Sequence, residues 1–400
     1  MRRRVFYIPG YDPFHPRRYR ELYRTEALAQ AAISGYAITV SARPGGDAFG
    51  WRVTTEMEGV ASEAEIEVLI WSDIVRASMR QGIFDTYRQL WRTVRTYVGS
   101  GAIFRLAGLR KGPTIAALYP SLMLVVQLLV ALGAGVVAGW LVRMALPAGG
   151  LAVLLALVAG VATAALILWQ FRRIDGRLYA YYLMHDYAFT AVEDGAYPEL
   201  LEERLAQFTA RVAEALRGSH DEVIVVGHSS GAHLAVSLLS DLLRARQGPR
   251  DDGPVLALLT LGHVVPMVSF LPKAQRLRGD LAYLSASDAL TWVDVTAPGD
   301  GCTFALCDPV KVTGVAPQDQ RWPLILSAAF TQTLSPARWR KLRWRFFRLH
   351  FQYLCAFDRP GDYDYFRITA GPLTLADRYR DRAPSKTVIT RAASGYRDLP

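Results

Sequence analysis

Between Pro113 and Val142 the chain carries no charged side chain. Between Met144 and Phe171 it again carries none, with Arg143 alone in between. A bilayer core of ~30 Å is crossed by ~20 helical residues. Two apolar segments meet that need, one from Ala116 to about Gly139 and one from about Leu151 to Trp169. Arg143, Pro147, Gly149 and Gly150 punctuate the connection, so the pair reads as a transmembrane helical hairpin. Gly133, Gly135, Gly139, Ala156 and Gly160 are small enough to let two helices approach closely. The competing reading is a pair of core helices buried in protein. Outside these segments charge is dense, and 46 basic against 36 acidic residues in 400 leave a net charge of +10. The whole excludes a wholly soluble protein, a many-span transporter and a disordered chain.

The basic excess is carried almost wholly by arginine, and with two apolar spans present an anionic membrane surface explains it at least cost. Arg105, Arg110 and Lys111 precede the first span, and Arg172, Arg173 and Arg177 follow the second. The positive-inside rule then places both flanks in the cytoplasm. Residues 1–112 and 172–376 share a compartment and are expected to build one domain around the hairpin at 113–171, with a loosely ordered polar tail at 377–400. The basic N-terminus has no apolar stretch behind it, so no secretory signal is expected. Cys302, Cys307 and Cys355 form neither a disulfide framework nor a zinc spacing.

Outside the hairpin, strand and helix patterns alternate. Strands are predicted at Arg4–Pro9, Tyr36–Ser41, Trp51–Glu58, Ala64–Trp71, Glu222–Val226, Val255–Leu261 and Leu290–Val295. Helices are predicted at Arg17–Ile33, Tyr87–Leu109, Leu200–Leu216 and Ala232–Arg244, and a glycine-containing loop at Arg43–Gly50. Strands alternating with helices predict a mainly parallel α/β sheet. The run EVIVV at Glu222–Val226 is apolar enough for a strand buried on both faces.

That strand is followed at once by Gly227-His228-Ser229-Ser230-Gly231 and then by a helix. G-x-S-x-G in a strand–turn–helix setting has a mechanical meaning. The turn is so tight that the positions two before and two after the serine must be small. It lifts the Ser229 hydroxyl clear of the sheet and aims a helix N-terminus at it. Here the chain resembles the α/β-hydrolase superfamily in its esterase and lipase-like branch. The resemblance covers roughly residues 4–45 and 220–355. It implies a hydrolase-type sheet with helices on both faces, and an oxyanion hole from the N–H groups of Tyr11, after Val5–Gly10, and Ser230. Many relatives carry histidine where this chain has Pro9. The usual first two antiparallel strands are missing from the N-terminus, and the strands at 51–71 are placed to fill part of that role.

The resemblance also implies the chain order serine, acid, histidine. Of the histidines after Ser229, His233 lies on the adjoining helix and His263 ends a strand, which leaves His350. The acid is expected in a turn after a late strand. Asp300 in Ala297–Gly301 fits, Asp294 within the strand competes, and Asp308 comes third. The triad so implied is Ser229, His350 and Asp300, with no metal and no cofactor. The segment Arg338–Arg348 mixes arginine with Trp339, Trp344, Phe346 and Phe347. It reads as an element gripping anionic lipid, as an amphipathic helix with its aromatics in the core, or as a nucleic-acid contact, the last not expected. His185-Asp186 reads as a structural pair. The function expected is a membrane-anchored serine hydrolase of the bacterial inner membrane, with its catalytic domain in the cytoplasm and an acyl-ester, lipid-like substrate. The alternative is a hydrolase-fold protein that has lost catalysis and serves as a membrane scaffold.

Overall fold

Along strand β1 (Arg2–Ile8) the side chains divide between two cores. Val5 and Tyr7 join one, Phe6 and Ile8 the other. A strand buried on both faces belongs at the centre of a sheet covered by helices on each side. The computed structural model describes all residues of the chain except 44–47, so that part of the expected 43–50 loop lies outside the described residues. Seven further strands complete the sheet: β2 (Ala37–Ala42), β3 (Gly50–Met57), β4 (Val60–Val68), β5 (Glu222–His228), β6 (Val255–Leu261), β7 (Thr291–Thr296) and β8 (Leu324–Ser327). Their order is β2-β3-β4-β1-β5-β6-β7-β8. β3 runs antiparallel to β2 and β4, and every pairing from β4 to β8 is parallel.

One face is covered by α1 (Arg17–Ser34), whose Tyr19, Tyr23 and Ala27 pack with Leu349, Tyr353 and Phe366. The helices that follow β4 are α2 (Ser72–Met79), α3 (Ile83–Gly99), α4 (Ala102–Ala107), α5 (Lys111–Ala145), α6 (Gly150–Arg173), α7 (Asp175–Leu178) and α8 (Ala180–Ala191). Then come α9 (Glu199–Leu216) and, flanking β5, α10 (Gly231–Arg244). Leu201, Leu205, Phe208 and Val212 of α9 and Leu234, Leu238 and Leu242 of α10 close the second face, each set recurring at helical spacing.

α5 and α6 are both long and apolar enough to cross a membrane. They stand out from the body. Val136 is 72% exposed, and Leu129, Leu151 and Leu157 are exposed as well, which argues against buried core helices. The two helices touch through glycine. A Cβ on Gly135 would lie 2.6 Å from the Gly160 carbonyl oxygen, and one on Gly139 would lie 2.9 Å from that of Ala156. α5 is longer than the apolar run, because Pro113 sits in the first turn, where its missing N–H costs no hydrogen bond. The single helix expected over 87–109 is two, α3 and α4. Gly101, at φ +70°, turns the chain between them. The tail is anchored rather than loose. Ile389 N donates to Leu306 O at 2.7 Å, Asp308 N to Ile389 O at 2.9 Å, and Arg278 pairs with Asp398 at 3.0 Å.

Candidate active site

At the end of β5 the chain reverses into α10 through Ser229, which holds φ +58°, the left-handed region that a serine rarely adopts. The two glycines of the motif are required by contact. A Cβ on Gly227 would fall 2.5 Å from the Gly231 carbonyl oxygen. One on Gly231 would fall 2.2 Å from that of Ile8. Ser229 N–H donates to Leu261 O at 2.9 Å, tying the turn to the end of β6.

The loop after β1 lies against the serine. A Cβ on Gly10 would meet Ser229 Cβ at 2.9 Å and its Oγ at 3.3 Å, so only glycine lets the loop come this close. Trp71 Nε1–H donates to Pro9 O at 2.9 Å, and the Tyr182 hydroxyl donates to Tyr11 O at 2.5 Å. The loop is therefore held by α8 as well as by the segment after β4. Among the described residues the backbone N–H groups of Tyr11 and Ser230 donate to no partner. Tyr11 follows Gly10, which lies against Ser229, and Ser230 follows Ser229 itself.

His350 Nδ1 lies 2.7 Å from Asp300 Oδ2, and both residues are buried. Asp300 is held by two further donors, the Tyr353 hydroxyl at 3.1 Å on Oδ2 and Cys302 N–H at 2.9 Å on Oδ1. With Nδ1–H donated to the carboxylate, Nε2 keeps its lone pair. That atom is buried and without a hydrogen-bond partner. Ser229 and His350 converge on the β6 terminus. Leu261 bonds the serine N–H, and a Cβ on the next residue, Gly262, would lie 3.1 Å from His350 Cε1. The structure has no hydrogen bond between Ser229 Oγ and His350 Nε2, a contact often long before substrate is bound. His228 lies beside them, its ring centroid 4.8 Å from that of His350, and its Nε2–H donates to His350 O at 3.0 Å. Burial, together with the neighbouring His350, holds His228 down to about 3, so it stays neutral.

The structure sorts the other candidates. Asp294 is buried and accepts from Thr260 Oγ1 at 2.6 Å. It faces His263 at 3.7 Å and has no bond to His350. Asp308 caps a short helix, accepting from Val310 N–H and Lys311 N–H at 3.0 Å each. His233 bonds Tyr197. His185 and Asp186 do not pair: His185 bonds Gln89 Oε1 at 2.8 Å. Asp186 falls one helical turn after Tyr182, within electrostatic reach of His350, Cys302 and Tyr11. It is half-buried in a crowded setting that pushes its carboxyl up to about 7, with His350 pulling the other way. Sequence reading missed it as a site residue. The one available signal was its i, i+4 spacing from Tyr182.

The segment 338–348 is two short helices, Pro336–Leu342 and Phe346–His350. Trp339 packs on Gly299 and Phe346 on Gly301, on either side of Asp300. Phe347 stacks on Tyr179 and Tyr182, at 4.7 and 5.7 Å between ring centroids. Arg340, Arg343, Arg345, Arg348 and Trp344 are exposed. Cys302 Sγ, the Asp300 carboxylate and a His350 ring nitrogen lie within 4.8 Å of one another, a spacing a metal could use. Two of those donors are hydrogen-bonded to each other. Burial, reinforced by Asp300 and Asp186, pushes the Cys302 thiol well up. Comparison with family models, with curated proteins and with solved structures finds no match.

Proposed function

We propose that this chain is a membrane-anchored serine hydrolase of the α/β-hydrolase type, acting on an ester or thioester of a lipid-like acyl compound. The observation that carries this reading is the serine on a left-handed turn, beside a histidine whose Nδ1 is bonded to a buried aspartate and whose Nε2 is free. Ser229 Oγ attacks the carbonyl carbon and its proton passes to His350 Nε2. The Nδ1–H stays on His350 and keeps donating to Asp300, which orients the ring and stabilises the imidazolium. Tyr11 N–H and Ser230 N–H receive the oxyanion. As the intermediate collapses, His350 protonates the departing alcohol or thiol. His350 then takes a proton from a water, which attacks the acyl-Ser229 carbonyl, and as that intermediate collapses His350 returns the proton to Ser229 Oγ and the acid is released. The sheet order also supports the reading in part, since the strands at 51–71 extend the sheet beyond β1, with β4 parallel to β1 and β3 antiparallel to both its neighbours.

A membrane-side substrate is supported by how the hairpin meets the site. A Cβ on Gly112, at the start of α5, would lie 3.1 Å from the Gly301 carbonyl oxygen, next to Asp300. Arg110 Nε–H donates to Ala305 O at 2.7 Å in the same loop. α5 and α6 are read as spans of a bacterial inner membrane, with the catalytic part in the cytoplasm. A fluorophosphonate probe applied to the purified chain tests the reading. The unsubstituted protein should be labelled to near one equivalent, and Ser229→Ala should take no label while unfolding at a similar temperature. Absence of label on the folded unsubstituted chain would favour the scaffold reading instead.

A further inference from the structure

The register of the hairpin leaves one of its helices longer than the other. Gly135 meets Gly160 and Gly139 meets Ala156. Followed towards the body, that register sets Arg173, the last residue of α6, opposite Leu122. α5 has 35 residues and α6 has 24. The residues of α5 before Leu122 therefore run on beyond α6 for about 16 Å at the helical rise of 1.5 Å per residue. This overhang is covered on one side only. Pro113, Thr114 and Pro120 face the body, whereas Ile115 is 66% exposed and Leu118 is exposed too.

α3 lies at the same level. Tyr87 OH donates to Leu124 O at 3.0 Å, and Arg172 donates from its guanidinium to Gln81 O at 2.6 Å, just before α3 begins. Leu90, on the inner face of α3, packs with Leu124, Ala180, Met184 and Ala188, and Thr86, Thr93 and Tyr97 are buried on that face as well. Its outer face is Phe84, Arg88, Trp91, Arg95 and Val98, one stripe at helical spacing with Arg92 beside it, and every one of these is exposed. Phe84 is 80% and Trp91 68% exposed, and Phe104 of α4 extends the patch. Over 83–111 the chain has six basic residues and a single acid, Asp85. Arg88, Arg92 and Arg95 have no ion-pair or hydrogen-bond partner among the described residues. Aromatic and arginine side chains alternating on one helix face, without acids, suit the boundary between acyl chains and anionic headgroups.

We infer that the outer face of α3, continued by Phe104 and the overhang of α5, is a docking surface for an anionic lipid leaflet, laid in the plane of the membrane at the foot of the hairpin. The occupant is the bilayer surface itself, because the face is continuous with the apolar hairpin and its charge is of one sign. The inference rests on the membrane reading of α5 and α6 and is independent of the catalytic one.

The test uses the full chain in nanodiscs of phosphatidylcholine, with and without phosphatidylglycerol. Single variants Trp91→Cys, Val136→Cys and Val255→Cys are labelled with a fluorophore, and quenching by lipid-borne nitroxides is measured. Val136 lies within the hairpin. Val255 starts β6, at the end of the sheet opposite Ser229. The unsubstituted chain supplies the blank, since burial pushes up its own thiols. A probe at 91 should be quenched about threefold or more beyond one at 255, as expected for a helix lying in the headgroup region. Quenching at 91 should rise with phosphatidylglycerol, and Arg88→Gln with Arg92→Gln and Arg95→Gln should remove that rise. Strong quenching at 136 with none at 91 would overturn the docking surface and leave the hairpin standing. No quenching at 136 would overturn both. Quenching at 91 that ignores lipid charge would overturn the anionic preference.

Discussion

Replacing Asp300 by asparagine forces a choice that the structure makes explicit. The carboxylate accepts three hydrogen bonds, from His350 Nδ1 and the Tyr353 hydroxyl on Oδ2 and from Cys302 N–H on Oδ1. An amide offers one acceptor oxygen and one NH2 donor. If the oxygen stays with Cys302, the NH2 faces His350 Nδ1. The imidazole must then carry its proton on Nε2, where it can no longer accept one from Ser229. If the amide flips, His350 keeps its tautomer but the NH2 meets the Cys302 N–H, two donors face to face. In that arrangement the imidazolium of the transition state still loses its anionic partner, and a hydrogen bond to a charged group contributes ~1.5–3 kcal/mol, or about one to two decades in rate at ~1.4 kcal/mol per decade. The wrong tautomer costs up to ~10⁴ in kcat. Asp300→Asn should therefore lower kcat by between about 10- and 10⁴-fold, with KM little changed. Asp294→Asn is the control. Its Oδ1 can still accept from Thr260, and the new NH2 replaces Oδ2, which has no hydrogen-bond partner among the described residues, so the cost falls on stability, while kcat should stay within about threefold because no bond to His350 is touched. The assay is initial-rate ester hydrolysis in nanodiscs, normalised by probe titration. Asp300→Asn retaining more than a tenth of the activity, or Asp294→Asn losing as much, would refute Asp300 as the acid.

Two further outcomes follow from the same contacts. Gly10→Ala pushes a methyl to 2.9 Å from Ser229 Cβ, which on rigid backbone something must yield to. Displacing an oxyanion donor costs ~10²–10³ in kcat, so probe labelling should slow by about that factor with the unfolding temperature little moved, and an unchanged labelling rate would detach this loop from the serine. Asp186 holds its carboxyl near 7 in the folded protein against the ordinary 3.8. The folded state thus keeps a proton that the unfolded chain releases, and stability should fall as pH rises from about 4 to about 7 and then level off. Asp186→Asn should flatten that slope in unfolding midpoints taken across pH, and an identical slope in both proteins would rule out Asp186 as its source.

The site was legible where chemistry imposes residue type locally. Gly227 and Gly231 are readable because each abuts backbone, and no other residue fits. Asp300 was separable from Asp294 because an acid in a turn beyond a strand can reach a loop-borne histidine, whereas one inside β7 is committed to its neighbours in the sheet. Asp186 was not legible, because a helix face becomes a site wall only when another element faces it, and His350 is 164 positions away in the chain. The tail was misread for a similar reason. Its anchoring is a handful of backbone bonds around Ile389, which leave no periodicity in the residues.

Composition changes at residue 113, but packing does not. The apolar run suggests a hairpin plugged into an α/β domain, two parts with a seam at Lys111–Pro113. Yet the first turn of α5 touches Gly301, one residue from Asp300. At the far end of the hairpin α8 begins, and its Tyr182 bonds the carbonyl of Tyr11. Phe347, three residues before His350, stacks on Tyr179 and Tyr182. The loop of Asp300, the loop after β1 and the helix carrying His350 each lean on a residue within a few turns of α5 or α6. Packed contacts of this kind transmit displacement, because a dense interior has no slack to absorb it. A shift of α5 and α6 relative to the body is thus a change in the walls around Ser229. The hairpin is part of the site's scaffold and not merely its tether.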